Sequence, residues 1–430
     1  MNNDDDNDYY ELPEEEENEL VHQYEAAVAR KRLDYFDVDE MEIIIEHYLY
    51  AGDIDKAQQA LKYGFRLHPN DSNLYCQKAA ILLNIGKLDE ALTLIERYRD
   101  VNDPVHTYNR AEILYKIGRT REALDEFRRM VDNDDNDVVE LKGLCGDIIT
   151  LLNNYQDYTH SLYFIDKGLA INPNDLDFLE IKGLTLECMD HHRQAIDLYN
   201  RVLDLDPYRI STWHYLGALY LDSENYADAL KAFDYVLAIA PNNAIALSQK
   251  AYCLFYQNDY AKAAEYCRQY LQIYPDDDVL LMLLGECYNN LGDTDRALKA
   301  FRKAVALNPD APEGHIAIGE ILDQQGKYDD AIDELRQAVR LNPDNALTLQ
   351  KLGNMYFTQA DFSAAATAYG RAYRLDAHLE KICLCYALAF YGLGDFEQAQ
   401  KYYNKAKHSD KQAEVVFLQI FPEAATKLTL

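Results

Sequence analysis

Alanine recurs at a fixed interval of 34 residues, at Ala195, Ala229, Ala263, Ala297, Ala331, Ala365 and Ala399. Twelve residues beyond the first five stand Pro207, Pro241, Pro275, Pro309 and Pro343. Twelve before the series lie Gly183, Gly217, Ala251, Gly285, Gly319, Gly353 and Ala387. A fixed period of this length means stacked copies of one small unit, each unable to bury its apolar face alone. The register continues upstream through Ala57, Ala91, Ala123 and Ser161, where the step from Ala123 to Ser161 is 38 residues and marks an insertion. Such an array, and not a single compact core, is what a chain of 430 residues can be built from here.

Each offset has a physical cause. Within a unit, "APEGHIAIGEILDQQ" and "DDAIDELRQAVRLN" both carry apolar residues at helical spacing, which predicts two amphipathic helices, A and B. Gly52, Gly86, Gly118, Gly292, Gly326 and Gly394 share the position between them and suit a left-handed helix C-cap. Proline follows helix B, which it cannot continue. Asp71, Asp175, Asn243, Asp277 and Asn345 then stand as N-caps for the next helix A; at Ala311 the cap is missing, but Pro312 suits a first helical turn. The glycines inside helix A cost about 1 kcal/mol each against alanine. Close approach of helix A to the helix B alanine opposite is expected to offset that cost. A second small position, at Ala304, Ala338, Ala372 and Ala406, returns to the same face of helix B. Tyr199, Phe233, Phe301, Leu335, Tyr369 and Tyr403 fill the space between.

A unit with small, small and proline at these offsets resembles the tetratricopeptide repeat, and the resemblance covers roughly residues 38–413. It implies an all-α, right-handed superhelical solenoid of about eleven helix-turn-helix repeats. The units start near 38, 72, 104, 142, 176, 210, 244, 278, 312, 346 and 380, with irregularity around 132–160. Residues 1–19 read as an acidic, disordered tail, 20–37 as an N-terminal capping helix, and 414–430 as a C-terminal capping helix and tail. Regularity of this degree is similar to that of bacterial multi-repeat proteins.

Charge narrows the partners. The net charge is −32, and residues 1–19 hold ten acids and no Lys or Arg. Nucleic acid is a poor ligand for such a chain, because phosphate binding needs clustered Lys and Arg. The longest apolar run, "VLLMLLG", is far short of the roughly 20 residues of a membrane helix. With no basic, apolar leader in the sequence, a soluble cytoplasmic protein is expected. The eight cysteines form no CxxC pair and read as reduced core residues.

Catalytic patterns are wanting: the chain has no phosphate loop, HExxH, GxSxG or glycine-rich fingerprint, so no enzyme, cofactor or metal is expected. His192 falls at a repeat position otherwise apolar and is expected to pack at the start of helix B. Cys383 and Cys385 lack further zinc ligands. The resemblance implies instead a concave surface lined by one face of helix A. Carried onto this chain, that face offers His214, Tyr215, Tyr252, Phe255 and Tyr256, flanked by Glu180, Glu187, Glu286 and Glu320. Aromatic rings beside carboxylates suit an extended peptide with apolar and basic side chains. The expected function is a non-catalytic scaffold holding a partner protein or peptide in this groove. The alternative is a sensor whose superhelix changes pitch when a peptide binds.

Overall fold

The computed structural model describes residues 14–100, 103–133, 137–409 and 411–427; of the expected tail at residues 1–19, residues 1–13 lie outside the described residues and 14–19 are helical. The chain forms two compact units. The first ends at His191 and holds α1 (Glu14–Ala29), α2 (Val38–Tyr50) with α3 (Ile54–Leu67), α4 (Ser72–Asn84) with α5 (Leu88–Tyr98), α6 (Pro104–Lys116) with α7 (Thr120–Val131), α8 (Val138–Asn154) with α9 (Tyr158–Ile171), and α10 (Leu176–Cys188). The second opens with α11 (His192–Leu205). It continues with α12 (Ile210–Asp222) and α13 (Tyr226–Ile239), α14 (Ala244–Tyr256) and α15 (Tyr260–Ile273), and α16 (Asp278–Asn290) and α17 (Thr294–Leu307). Then come α18 (Pro312–Gln324) and α19 (Tyr328–Leu341), α20 (Ala346–Thr358) and α21 (Phe362–Leu375), α22 (Ile382–Leu393) and α23 (Phe396–Ser409), and finally α24 (Ala413–Ile420) and α25 (Ala424–Lys427). Among the described residues there is no strand, and no helix is long and apolar enough to cross a membrane. Within each unit helices pack on their neighbours in sequence, and successive A helices such as α12 and α14 also touch, which makes each an all-α solenoid.

The turn between helices A and B is left-handed in every repeat. Six glycines hold φ between +71° and +86°, and Gln156, Asp190, Glu224, Asn258 and Ala360 hold the same position at +57° to +62°. At one such turn the Gly326 N–H donates to the Asp323 carbonyl at 2.8 Å and the Lys327 N–H to Leu322 at 2.9 Å, closing the end of α18. The five expected N-caps all accept backbone N–H bonds, and Ala311 has none to offer. The insertion appears as an extra turn: α8 has 17 residues where α10 has 13. The eleventh helix A starts at Ile382, two residues later than the register gives, after Lys381 in a left-handed conformation.

The alanine series from Ala195 to Ala399 is fully buried, and the residues from Tyr199 to Tyr403 that fill the seams are at most 2% exposed. The glycine seam differs from expectation. Over Gly217 stands the ring of Phe233, one turn past the alanine, and a Cβ there would lie 2.7 Å from it. At Gly319 a Cβ would lie 3.0 Å from Leu335 Cγ and 3.4 Å from the Ala331 carbonyl oxygen. Helix A therefore gives up its side chain to seat a large one from helix B, and the alanine only lets the backbones approach.

A helix packs against α2 at one end of the described repeats and against α23 at the other. The first helix begins at Glu14, earlier than residue 20, and stops at Ala29, short of 37. It buries Leu20, Val21, Tyr24 and Ala27, and Glu17 meets His47 at 2.7 Å. At the other end Phe417 is buried between Tyr391 and Tyr403. Two cysteine and histidine expectations need correction: His192 and Cys188 are both exposed, the first because it opens α11 and the second because it sits at the solvent side of the end of α10. The remaining cysteines are buried or half-buried, and all eight are free.

Candidate functional site

Inward-facing positions of α12, α14 and α16 lie in the second unit, and three observations distinguish them. The first is a pocket of about 320 Å³ lined by Ser211, His214, Tyr215, Ala218, Phe233, Ile245 and Gln249. Its floor is the buried Phe233 ring, and Ile245, 59% exposed, stands at its mouth. Tyr215 forms one wall, stacked on Tyr199 with centroids 5.8 Å apart.

The second is the state of His214. Neither ring nitrogen is in contact with solvent, and the group that hydrogen-bonds the imidazole is the Asn243 side chain, at less than full geometry. Asn243, whose side-chain oxygen accepts from the Ala246 N–H at 2.9 Å as the cap of α14, works against the effect of burial on the imidazole. Desolvation holds the imidazole pKa below its ordinary value, so His214 is neutral at pH 7. A neutral imidazole has one donor and one acceptor, and Asn243 can meet only one of them.

The third is Glu286. Its side chain reaches solvent, yet the surrounding helices desolvate the carboxyl enough to raise its pKa. No cation pairs with it among the described residues. It acts electrostatically on Tyr252, whose own pKa is raised by burial first and then by Cys267, Asp277, Tyr256 and Glu286. Tyr256, 57% exposed, stacks on Tyr226 at 5.5 Å.

The nine residues expected from sequence thus divide. His214 and Tyr215 share the pocket, while Tyr252, Tyr256 and Glu286 form a neighbouring aromatic and acidic stretch. Phe255 turns toward the core and packs edge-on against Tyr260 at 5.4 Å. Glu320 is matched internally by Lys351. Glu180, which is buried, and Glu187, half-buried, lie on α10 in the other unit.

Sequence reasoning passed over Ser211, Ile245 and Gln249, although they occupy the same inner positions as the residues it named. In the first unit it named Glu180 and Glu187 but passed over the acids of α2 and α8. There Glu42 faces Glu46, Asp39, Asp103 and Asp71, and burial followed by these like charges raises its pKa to about 8. Glu46 is raised too, chiefly by burial, although Gln77 donates to it at 2.7 Å. Asp147, on α8, is raised by burial and by Glu112. Among the described residues no group of three or more His, Cys, Asp or Glu side chains is arranged to hold a metal ion.

Comparison with known proteins agrees with this architecture. The model of the cytochrome c-type biogenesis protein H TPR domain matches residues 257–375. Two tetratricopeptide repeat models match 45–104, 76–138 and 216–278, and 381–412. The N-terminal acetyltransferase A complex auxiliary subunit NAA15 of Arabidopsis thaliana is 34% identical over 88 residues, 20% of this chain and 10% of that one. The TPR repeat-containing protein MJ1428 of Methanocaldococcus jannaschii is 24% identical over 192 residues, 44% of this chain and 30% of that one. The chain thus spans less than a third of the length of these relatives. Among solved structures, the APC/C hetero-tetramer Cut9-Hcn1 aligns over 95% of this chain and 97% of its own at 15% identity and a TM-score of 0.41. YrrB, described as a TPR protein with an unusual peptide-binding site, aligns over 43% of this chain and 95% of its own at 20% identity and a TM-score of 0.40. With its small-residue seams, its left-handed turns and its matches to these repeat models, the chain belongs to the tetratricopeptide repeat family.

Proposed function

We propose that the chain is a non-catalytic interaction scaffold that holds an extended segment of a partner protein against the inner faces of its A helices, with a preference for apolar and basic side chains. The observation that carries this reading is the pocket between α12 and α14, an apolar seat on the inner faces of the A helices, with the exposed carboxylate of Glu286 on α16 left unpaired among the described residues. A partner's Lys or Arg would find a charge partner in that carboxylate. A cation there also gains from the adjacent aromatic faces. The pocket at His214 supplies an apolar counterpart. Eight free cysteines suit a reducing, cytoplasmic setting.

Titration calorimetry against basic-apolar, neutral and acidic peptide pools tests the reading. Binding by the first pool, weakening with salt, is the expected result. Equal binding of all three, or no peptide binding alongside turnover of a small molecule, would count against it.

A further inference from the structure

We propose that the exposed outer faces of α17, α19, α21 and α23 together form a docking surface for an Asp/Glu-rich segment of a partner protein. The surface belongs to B helices and is separate from the inner faces of the A helices, so the inference goes beyond the scaffold reading and does not depend on it.

Positions spaced i, i+3, i+4 and i+7 share one side of a helix. On α17 one such set is Lys299, Arg302, Lys303 and Ala306, all exposed and turned away from the buried Ala297, Phe301 and Ala304. At the same repeat positions α19 exposes Arg336 and Arg340. Next come Arg371 and Arg374 on α21, the first half-buried, and Lys401 and Lys405 on α23, both exposed. Asp333 is the single acid in the set. The composition of the chain runs the other way, with 74 Asp and Glu against 42 Lys and Arg. At the matching positions of α11, α13 and α15 acids outnumber bases, with Asp197, Asp204, Asp234 and Glu265 against Arg201, Lys231 and Arg268. The basic face therefore begins at α17. A cation in the last turn complements the helix dipole, which accounts for Arg340 and Arg374 and for none of the others.

The side chains are ordered but mostly not neutralised. Lys303 donates to the Pro275 carbonyl at 2.6 Å, and Arg371 donates to the equivalent Pro343 carbonyl at 3.3 Å. Arg336 donates to the Tyr356 hydroxyl and Lys405 to the Tyr373 hydroxyl, each at 2.8 Å. Such bonds hold the long stems in place, which lowers the entropy lost when a partner docks. Among the described residues two carboxylates reach this face, Asp276 at 3.7 Å from Lys303 and Asp333 at 3.2 Å from Arg336. The remaining cations of the face have no carboxylate within ion-pair distance.

Charge complementarity calls for an anion, and the rest of the chain narrows its class. Duplex nucleic acid carries one charge per about 1.7 Å and would be repelled along its length by a chain of net charge −32. Charges are screened beyond about 8 Å at physiological salt. A short acidic segment lying along the face thus meets its cations and little of the surrounding acid. Carboxylates also suit the arginines, whose guanidinium groups bind them with two parallel bonds.

The test measures fluorescence anisotropy of a labelled, capped peptide carrying six Glu in a Gly/Ser background, titrated with the full chain. It should bind at least about tenfold more tightly than the same peptide with Gln for Glu, and weaken as salt rises from about 50 to about 300 mM. The triple variant Lys299→Glu, Arg302→Glu, Lys401→Glu should lose about tenfold or more without moving the melting temperature. Lys62→Glu, Lys78→Glu, Arg129→Glu makes the same change of net charge at exposed positions of the first unit and should keep the affinity. No preference for Glu over Gln, or equal loss in both triple variants, would overturn the surface. Tighter binding of a 20-base-pair duplex or of phosphatidylserine vesicles, lost in the first triple variant, would overturn the class of partner. Removing residues 1–13 should leave the affinity unchanged; a gain of about tenfold would mean that the chain's own acidic segment occupies the face, which would also overturn the proposal.

Discussion

The ring of Tyr369 lies over Gly353 so closely that a Cβ at residue 353 would stand 2.5 Å from its Cε1. The ring cannot swing away freely, because it is 2% exposed and its hydroxyl donates to Asn354 Oδ1 at 2.7 Å. Gly353→Ala should therefore destabilise the second unit by about 1–3 kcal/mol despite alanine's better helix propensity. Gly143 is the control: it is interior to α8, and nothing lies within 4 Å of a Cβ there. Gly143→Ala should stabilise by about 0.5–1 kcal/mol. Urea midpoints of the two variants should move in opposite directions, and movement in one direction would refute the seam.

The eleven left-handed turns make a second, graded prediction. A residue with a Cβ in this conformation costs roughly 1–2 kcal/mol, less for Asn and Asp. Ala360→Gly, Gln156→Gly and Glu224→Gly should each raise stability by about 1 kcal/mol, with Asn258→Gly gaining least. Gly326→Ala should lose a similar amount, although the space around that glycine is open. Thermal melts of the five single variants decide it.

Glu42 gives the first unit a distinctive pH response. Its carboxyl is raised from an ordinary value of 4.5 to about 8 in the folded chain. Below about pH 4.5 the group is protonated in both states. As pH rises the unfolded chain ionises first, while the folded one keeps its proton until near pH 8. Stability therefore falls across that window and is lowest above it. Glu42→Gln should flatten the profile and stabilise the unit at pH 8 by on the order of 2 kcal/mol, allowing for partial exposure. Denaturation midpoints from pH 4 to 9 provide the readout. A wild-type midpoint that rises with pH in this window would contradict the assignment.

How far the sequence alone could reach is seen in particular residues. Ala331 and Tyr199 report a seam because small and large side chains recur at one period, and both are buried where that period puts them. Glycine at the turn was readable, but the same backbone at Gln156 and Ala360 was not, since those side chains carry no local sign of positive φ. The inner face was readable as a set of positions, not as a site. Sequence treats Glu286 and Glu320 alike; only folding shows that Lys351 answers Glu320 while no cation among the described residues answers Glu286. Phe255 and Tyr256 are neighbours in sequence, yet a rotation of about 100° along the helix sends one toward the core and the other to solvent.

The missing cap of α18 leads to the last prediction. Asn345 accepts the Thr348 N–H at 2.9 Å at the start of α20, and Asn243 does the same for Ala246. Ala311 holds the corresponding extended backbone, φ −86° and ψ 115°, but has no side-chain acceptor. Pro312 removes one first-turn donor, leaving those that follow to water. Because the backbone is already in place, Ala311→Asn needs only a rotamer, and it should add about 1 kcal/mol; Asn345→Ala should lose about as much. Asparagine is preferred to aspartate here because Glu313 sits in the first turn and a second carboxylate would repel it. The double variant carrying both changes should return to the wild-type midpoint, since the caps belong to different helices and their effects should add. A double variant no more stable than Asn345→Ala alone would mean that capping is coupled along the solenoid and not local to each helix.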